Sequence, residues 1–151
     1  MSLLNAYSYE VALQWTGRRA GRATAADFPA LEISAPPEFS GEPGKWTPEH
    51  LLVASVASCL MTTFLAIASL SRFDVVAYRA NAVARLEKVP GEGYRFTEIV
   101  LTPVITVHSA DREKAEKALR QAEKHCFVSN SLRATVQVEP QFLAAALEPA
   151  R

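Results

Sequence analysis

The chain has 151 residues, 49% hydrophobic and 21% charged, which suits one globular domain over residues 1–151 and excludes a disordered or collagen-like polymer. Sixteen Lys and Arg balance sixteen Asp and Glu, so the formal net charge is zero and the basic excess of a nucleic-acid-binding domain is missing. Two cysteines, Cys59 and Cys126, are too few for a disulfide-dense secreted scaffold. Met1 to Glu10 lacks the basic, apolar and small-residue succession of a signal peptide, so the expected compartment is the cytoplasm, with both thiols reduced.

Tyr7, Tyr9, Val11, Leu13 and Trp15 alternate with Ser8, Glu10, Ala12 and Gln14, a period of two that predicts a half-buried strand. Thr16 to Gly21 supplies turn chemistry. A second strand is expected from Arg22 and a short third around Leu31–Ile33. The Pro- and Gly-rich stretch from Ala35 to Trp46 reads as loop, with no helix in it. Thr47-Pro48-Glu49 is a helix start, with a capping hydroxyl, a proline at the first helical position and an acid at the positive end of the dipole.

Leu51 to Leu70 contains no charged residue and is long enough to cross a bilayer. Its Ser, Thr and Ala content and the strand patterns on both sides favour a core helix instead, with no membrane partner. A helix apolar on every side needs more cover than one small chain offers, which hints at a dimer. Val76 to Leu86 alternates as a strand, Pro90-Gly91-Glu92-Gly93 turns it, and Tyr94 to Val107 returns. The apolar phase slips between Phe96 and Ile99, so a bulge is expected near Thr97. Asp111 to Cys126 reads as a helix capped by Ser109 or Asp111, with Ala115, Ala118, Leu119 and Ala122 on its apolar face. Thr135 to Val138 is a last strand and Gln141 to Leu147 a tail helix. The order is α+β.

Each cysteine falls on an apolar face, where a thiol is inert unless a cation is supplied; Arg18 or Arg19 in the first turn could supply it. His50, His108 and His125 lack the paired spacing of a metal site, so no metal is expected, and chemistry run by two thiols and a cation needs no organic cofactor. The segment from Trp46 to Cys59, WTPEHLLVASVASC, resembles the (N/S/T)-P-E-x-L-x-x-A-x-x-x-C segment of the OsmC/Ohr family of thiol peroxidases. His125 to Leu132, HCFVSNSL, is similar to its second-cysteine segment, C-P-x-S-(N/Q)-x-L, with Phe127 in place of the usual proline. Thr16 to Gly21, TGRRAG, resembles the T-G-x-R-x-G turn of the organic hydroperoxide resistance branch.

The resemblance implies an OsmC/Ohr-like fold, antiparallel sheets around a long buried central helix, in an intertwined homodimer. It implies Cys59 as the peroxidatic cysteine and Cys126 as the resolving one. It implies Arg19 as the thiolate-stabilising arginine, on motif spacing over Arg18, and Glu49 as the carboxylate orienting it. Glu49 and Cys59 lie ten residues apart, about 15 Å along one helix, so the pair would meet the cysteines of the other protomer. The implied activity is reduction of organic hydroperoxides, through a Cys59 sulfenic acid and a Cys59–Cys126 disulfide that a dithiol, a lipoyl protein in the family, reduces. Two other readings stand beside it: an OsmC-like protein with little peroxidase activity that binds a thiol or small apolar ligand, and a structural or metal-binding dimer whose cysteines are packing residues.

Overall fold

A computed structural model describes residues 5–146. They group into two compact units, the first running to Leu51 and the second from Leu52 onward.

In the first unit, β1 (Ala12–Gly17), β2 (Ala20–Thr24) and β3 (Leu31–Ser34) form an antiparallel sheet in the order β1-β2-β3. The expected strand from Tyr7 begins only at Ala12. Ala12 pairs with Thr24, where β2 ends, so earlier residues find no ladder, and Tyr7, Tyr9 and Val11 stay exposed. The apolar face of β1 is open as well, with Leu13 70% and Trp15 75% exposed.

The first hairpin is tight. Gly17 pairs with Ala20, the register slips between Trp15 and Gly17, and Gly17 and Arg18 take φ of 130° and 47°. Arg18 is the first residue of the two-residue loop, a position at which such hairpins take positive φ. The Trp15 indole N–H donates to the Arg18 carbonyl at 2.9 Å and closes the turn.

The Pro- and Gly-rich loop holds one turn of 3-10 helix, Pro37–Phe39, where none was expected. Pro37 opens it, a position at which the missing N–H costs nothing. The loop folds back tightly at Gly41, where a Cβ would overlap the Ala35 carbonyl oxygen. The Glu42 amide donates to the buried Ser34 hydroxyl at 2.9 Å.

Helix α1 runs Pro48–Leu70. Thr47 caps it as expected: the His50 amide donates to Thr47 Oγ1 at 3.1 Å. Val56, Leu60, Phe64 and Ala68, four residues apart, form its buried stripe. The all-round burial expected for this helix is not met within one chain, since Leu65 and Leu70 are exposed. By length and composition α1 could cross a membrane; its buried stripe belongs to the core of the second unit.

In that unit β4 (Val75–Val89) and β5 (Gly93–Val107) form a long antiparallel hairpin. Arg85 pairs with Glu98 and Leu86 with Phe96, so Thr97 is the extra residue and the phase slip in the sequence is a bulge. The Thr97 hydroxyl donates to the Glu87 carboxylate beside it. Past the bulge, Ile99, Leu101, Ile105 and Val107 of β5 point into the core.

Helix α2 is Arg112–His125, begun by a 3-10 turn over Ser109–Asp111, so it starts one residue later than expected and neither Ser109 nor Asp111 caps it through a side chain. Its apolar face of Ala115, Ala118, Leu119 and Ala122 is buried as the pattern predicts. It stops before Cys126, and a one-turn helix α3 (Phe127–Asn130) follows.

The sheet is mixed rather than purely antiparallel. β6 (Thr135–Val138) pairs in parallel with β5 along residues 98–101, and β7 (Gln141–Ala144) along residues 104–107. β7 replaces the expected tail helix from Gln141; Leu147, its expected end, lies outside the described residues. The edge of β5 past the reach of β6 would leave its backbone groups unpaired, and a short isolated helix is marginal, so pairing wins.

Candidate functional site

Two groups of residues singled out by sequence take shape, one in each unit. In the first unit Arg19 and Glu49 line one open cleft of about 600 Å³. Its other walls include Leu13, Trp15, Pro36 and Phe39, an apolar lining around one cation and one carboxylate. The Arg19 guanidinium donates to the Phe39 carbonyl at 3.1 Å, which holds it over the cleft. Glu49 Oε2 is buried and has no hydrogen-bond partner among the described residues. A buried carboxylate oxygen left unpaired is costly, so this atom is placed to receive a donor.

The neighbouring Arg18 does not line the cleft. Its charge lies toward Glu42, whose carboxyl is held below its ordinary value first by the Lys45 ammonium that donates to it, at 2.8 Å, and in small part by Arg18. Of the two adjacent arginines, only Arg19, the one that motif spacing favours, lines this cleft.

In the second unit Cys59 sits half-buried in the middle of α1, and Cys126 is fully buried between α2 and α3. Both are free thiols. Burial pushes the Cys59 thiol up. Its polar surroundings, the Val128 amide, the Cys126 thiol, the Thr63 hydroxyl and the Phe127 amide, outweigh that and hold it below its ordinary value. Thr63 Oγ1 lies 4.0 Å from Cys59 Sγ, one turn further along α1. On the other sulfur, the Ser129 hydroxyl donates to Cys126 Sγ at 3.2 Å.

This arrangement favours a thiolate at Cys59, with a second thiol among the groups that lower it. It gives one sulfur to attack an electrophile and one to trap the product. The donors on the Cys59 sulfur within the chain are neutral groups, where the sequence pointed to a cation. Two of them are main-chain N–H groups, which no side-chain pattern reveals. Thr63 and Ser129 follow their cysteines by four and three residues, a spacing that puts them over the sulfur on one helical face, and that spacing was the available signal. Among the described residues no three His, Cys, Asp or Glu side chains converge as ligands for a metal.

Comparison with known proteins gives the same family. The organic hydroperoxide resistance protein-like 1 of Staphylococcus saprophyticus is 29% identical over 136 residues, covering 89% of this chain and 94% of that protein. An OsmC-like protein of unknown function from Vibrio cholerae superposes with a TM-score of 0.82 at 25% identity, over 89% of this chain and 99% of that one. An organic hydroperoxide resistance protein from Legionella pneumophila shares the fold, with a TM-score of 0.73 at 24% identity over 92% of this chain and 98% of that one. The family model described as OsmC-like protein matches residues 41–141, which include both cysteines and Glu49, and the chain belongs to that family.

Proposed function

We propose that this chain is a cysteine-based peroxidase that reduces organic hydroperoxides to alcohols. The observation that carries the reading is Cys59: a half-buried free thiol in the middle of α1, held below its ordinary value by polar surroundings that include the Cys126 thiol. The Cys59 thiolate attacks the outer oxygen of ROOH. The O–O bond breaks, the alkoxide takes a proton and leaves as ROH, and Cys59 becomes a sulfenic acid. Cys126 then attacks that sulfur, the S–S bond forms, and the sulfenic oxygen leaves as water. An external dithiol, a lipoyl protein by family resemblance, reduces the disulfide by exchange and is itself oxidised.

Arg19 and Glu49 act on this chemistry from a second protomer. Arg19 supplies the positive charge that further favours the thiolate, and Glu49 Oε2 receives a guanidinium N–H and fixes its direction. The open apolar face of β1 and the exposed flank of α1 support a homodimer. The apolar lining of the cleft favours alkyl and lipid hydroperoxides, because each buried Å² of alkyl tail adds roughly 25 cal/mol of binding. The protein works in the cytoplasm, on a small-molecule substrate.

Initial rates with cumene hydroperoxide and with hydrogen peroxide, each with dihydrolipoamide or glutathione as reductant, test this. The expected result is turnover of cumene hydroperoxide with the dithiol, far above that of either glutathione reaction. Equal efficiency toward both peroxides would remove the argument from the apolar cleft, and no turnover with any pair would overturn the reading.

A further inference from the structure

Hydroxyls on the helices of this protein mostly turn back onto the backbone. Ser55 donates to the Leu52 carbonyl, Ser58 to Ala54, Thr62 to Ser58 and Ser131 to Phe127, at 2.6, 2.7, 3.0 and 2.7 Å. This is the ordinary use of a helical Ser or Thr. Ser129 departs from it. The carbonyl of Cys126 accepts the Asn130 amide at 3.0 Å, and the Ser129 hydroxyl donates instead to the Cys126 sulfur at 3.2 Å. Cys126 is fully buried, so no solvent reaches that sulfur. Ser129 is only half-buried and lines an open cavity of about 440 Å³ with Arg120, Glu123, Lys124 and Asn130. One side of this hydroxyl therefore touches a sealed sulfur and the other a water-accessible space.

We infer that Ser129 is a positioning residue for disulfide closure, one that aims the Cys126 sulfur and links it to the cavity through which its proton leaves. The inference rests on the peroxidase reading for its place in the cycle. In that step Cys126 loses its proton, and its sulfur forms the S–S bond to Cys59. The Cys59–OH bond breaks, and the departing hydroxide recovers a proton to give water. No further oxidant or reductant is involved. The Ser129 hydroxyl, 3.2 Å from the Cys126 sulfur, fixes the direction of that sulfur and gives its proton a route to the open cavity as the S–S bond forms. The same donor helps on the return: when a dithiol attacks the disulfide at Cys59, Cys126 leaves as a thiolate.

The test separates sulfenic acid formation from closure in wild type, Ser129→Ala and Ser129→Thr. Rapid mixing with one equivalent of cumene hydroperoxide reads peroxide consumption, and acid quench with thiol labelling reads closure. Closure is also followed with diamide, which forms an adduct on Cys59 that Cys126 then displaces, with no hydroperoxide present. Ser129→Ala is expected to consume the first equivalent of peroxide within twofold of wild type and to close about tenfold more slowly with either oxidant. Ser129→Thr, which keeps the hydroxyl, is expected to restore closure. Wild-type closure rates in Ser129→Ala with diamide, or equal slowing of both steps with no rescue by Thr, would overturn the inference. If the wild type ignored cumene hydroperoxide but closed with diamide ten times faster than Ser129→Ala, the peroxidase reading would fall and the role of Ser129 would stand.

Discussion

At the scale of single residues, the neutral donors around Cys59 set the pH at which the protein is reactive. Hydrogen bonds that hold the thiol below its ordinary value keep the thiolate populated at lower pH. The alkylation rate of Cys59 by iodoacetamide should therefore reach its midpoint below the ordinary value of a free thiol. A midpoint at or above that value would mean that burial dominates. Arg19 should add to this from the cleft that it shares with Glu49. Arg19→Ala is expected to lower kcat/KM for cumene hydroperoxide by about tenfold or more, since one unit of thiol shift is about 1.4 kcal/mol. Arg18→Ala, whose charge lies toward Glu42, should stay within about twofold of wild type. A larger effect at Arg18 would reverse the assignment. The sequence singled out the cysteines, Arg19 and Glu49 because the proposed chemistry needs those side chains, in motifs whose order the chain keeps. The Phe127 and Val128 amides were not legible: every residue but proline carries an N–H, and only the turn after Cys126 aims these two at the Cys59 sulfur.

At the scale of elements, α1 is fixed by its first turn and by one stripe. Phe64 is fully buried in that stripe, its ring centroid 6.2 Å from Phe73 and 5.8 Å from Tyr78. Phe64→Ala should destabilise the fold by about 3–5 kcal/mol, read as a lower midpoint in urea. Burial also raises the Tyr78 phenol from 10.0 to about 12. The unfolded chain loses that proton at lower pH than the folded one, so stability should fall as pH rises from 10.0 to about 12 and should be unaffected by this group below that window. Tyr78→Phe should remove that part of the alkaline loss. The start of α1 and the bulge at Thr97 were readable because each is written locally, as Thr47-Pro48 and as a slip in alternation. β7 was not, because residues 141–144 become a strand only through the free edge of β5 at residues 104–107. The 3-10 turn at Pro37 was missed for a related reason: proline excludes a helix interior but not a first turn.

At the scale of the whole molecule, one chain leaves much of its apolar surface open. Leu13, Trp15 and Leu70 are among the exposed large hydrophobics, and Glu49 Oε2 lacks a donor. A second copy would cover such surface, and light scattering at micromolar concentration should return twice the 16.5 kDa chain mass. A mass of one chain would remove the route by which Arg19 and Glu49 reach the cysteines. The sequence made a dimer an expectation through the uncharged length of α1, while the open face of β1 emerges only once its neighbours are known. The central claim, that Cys59 takes the oxygen and Cys126 closes the disulfide, is tested most directly by intact-protein mass spectrometry after one equivalent of cumene hydroperoxide. Wild type should lose about 2 Da with both thiols blocked, Cys126→Ser should gain about 16 Da on Cys59, and Cys59→Ser should be unchanged. Oxygen gained by Cys59→Ser, with Cys126→Ser unmodified, would contradict it.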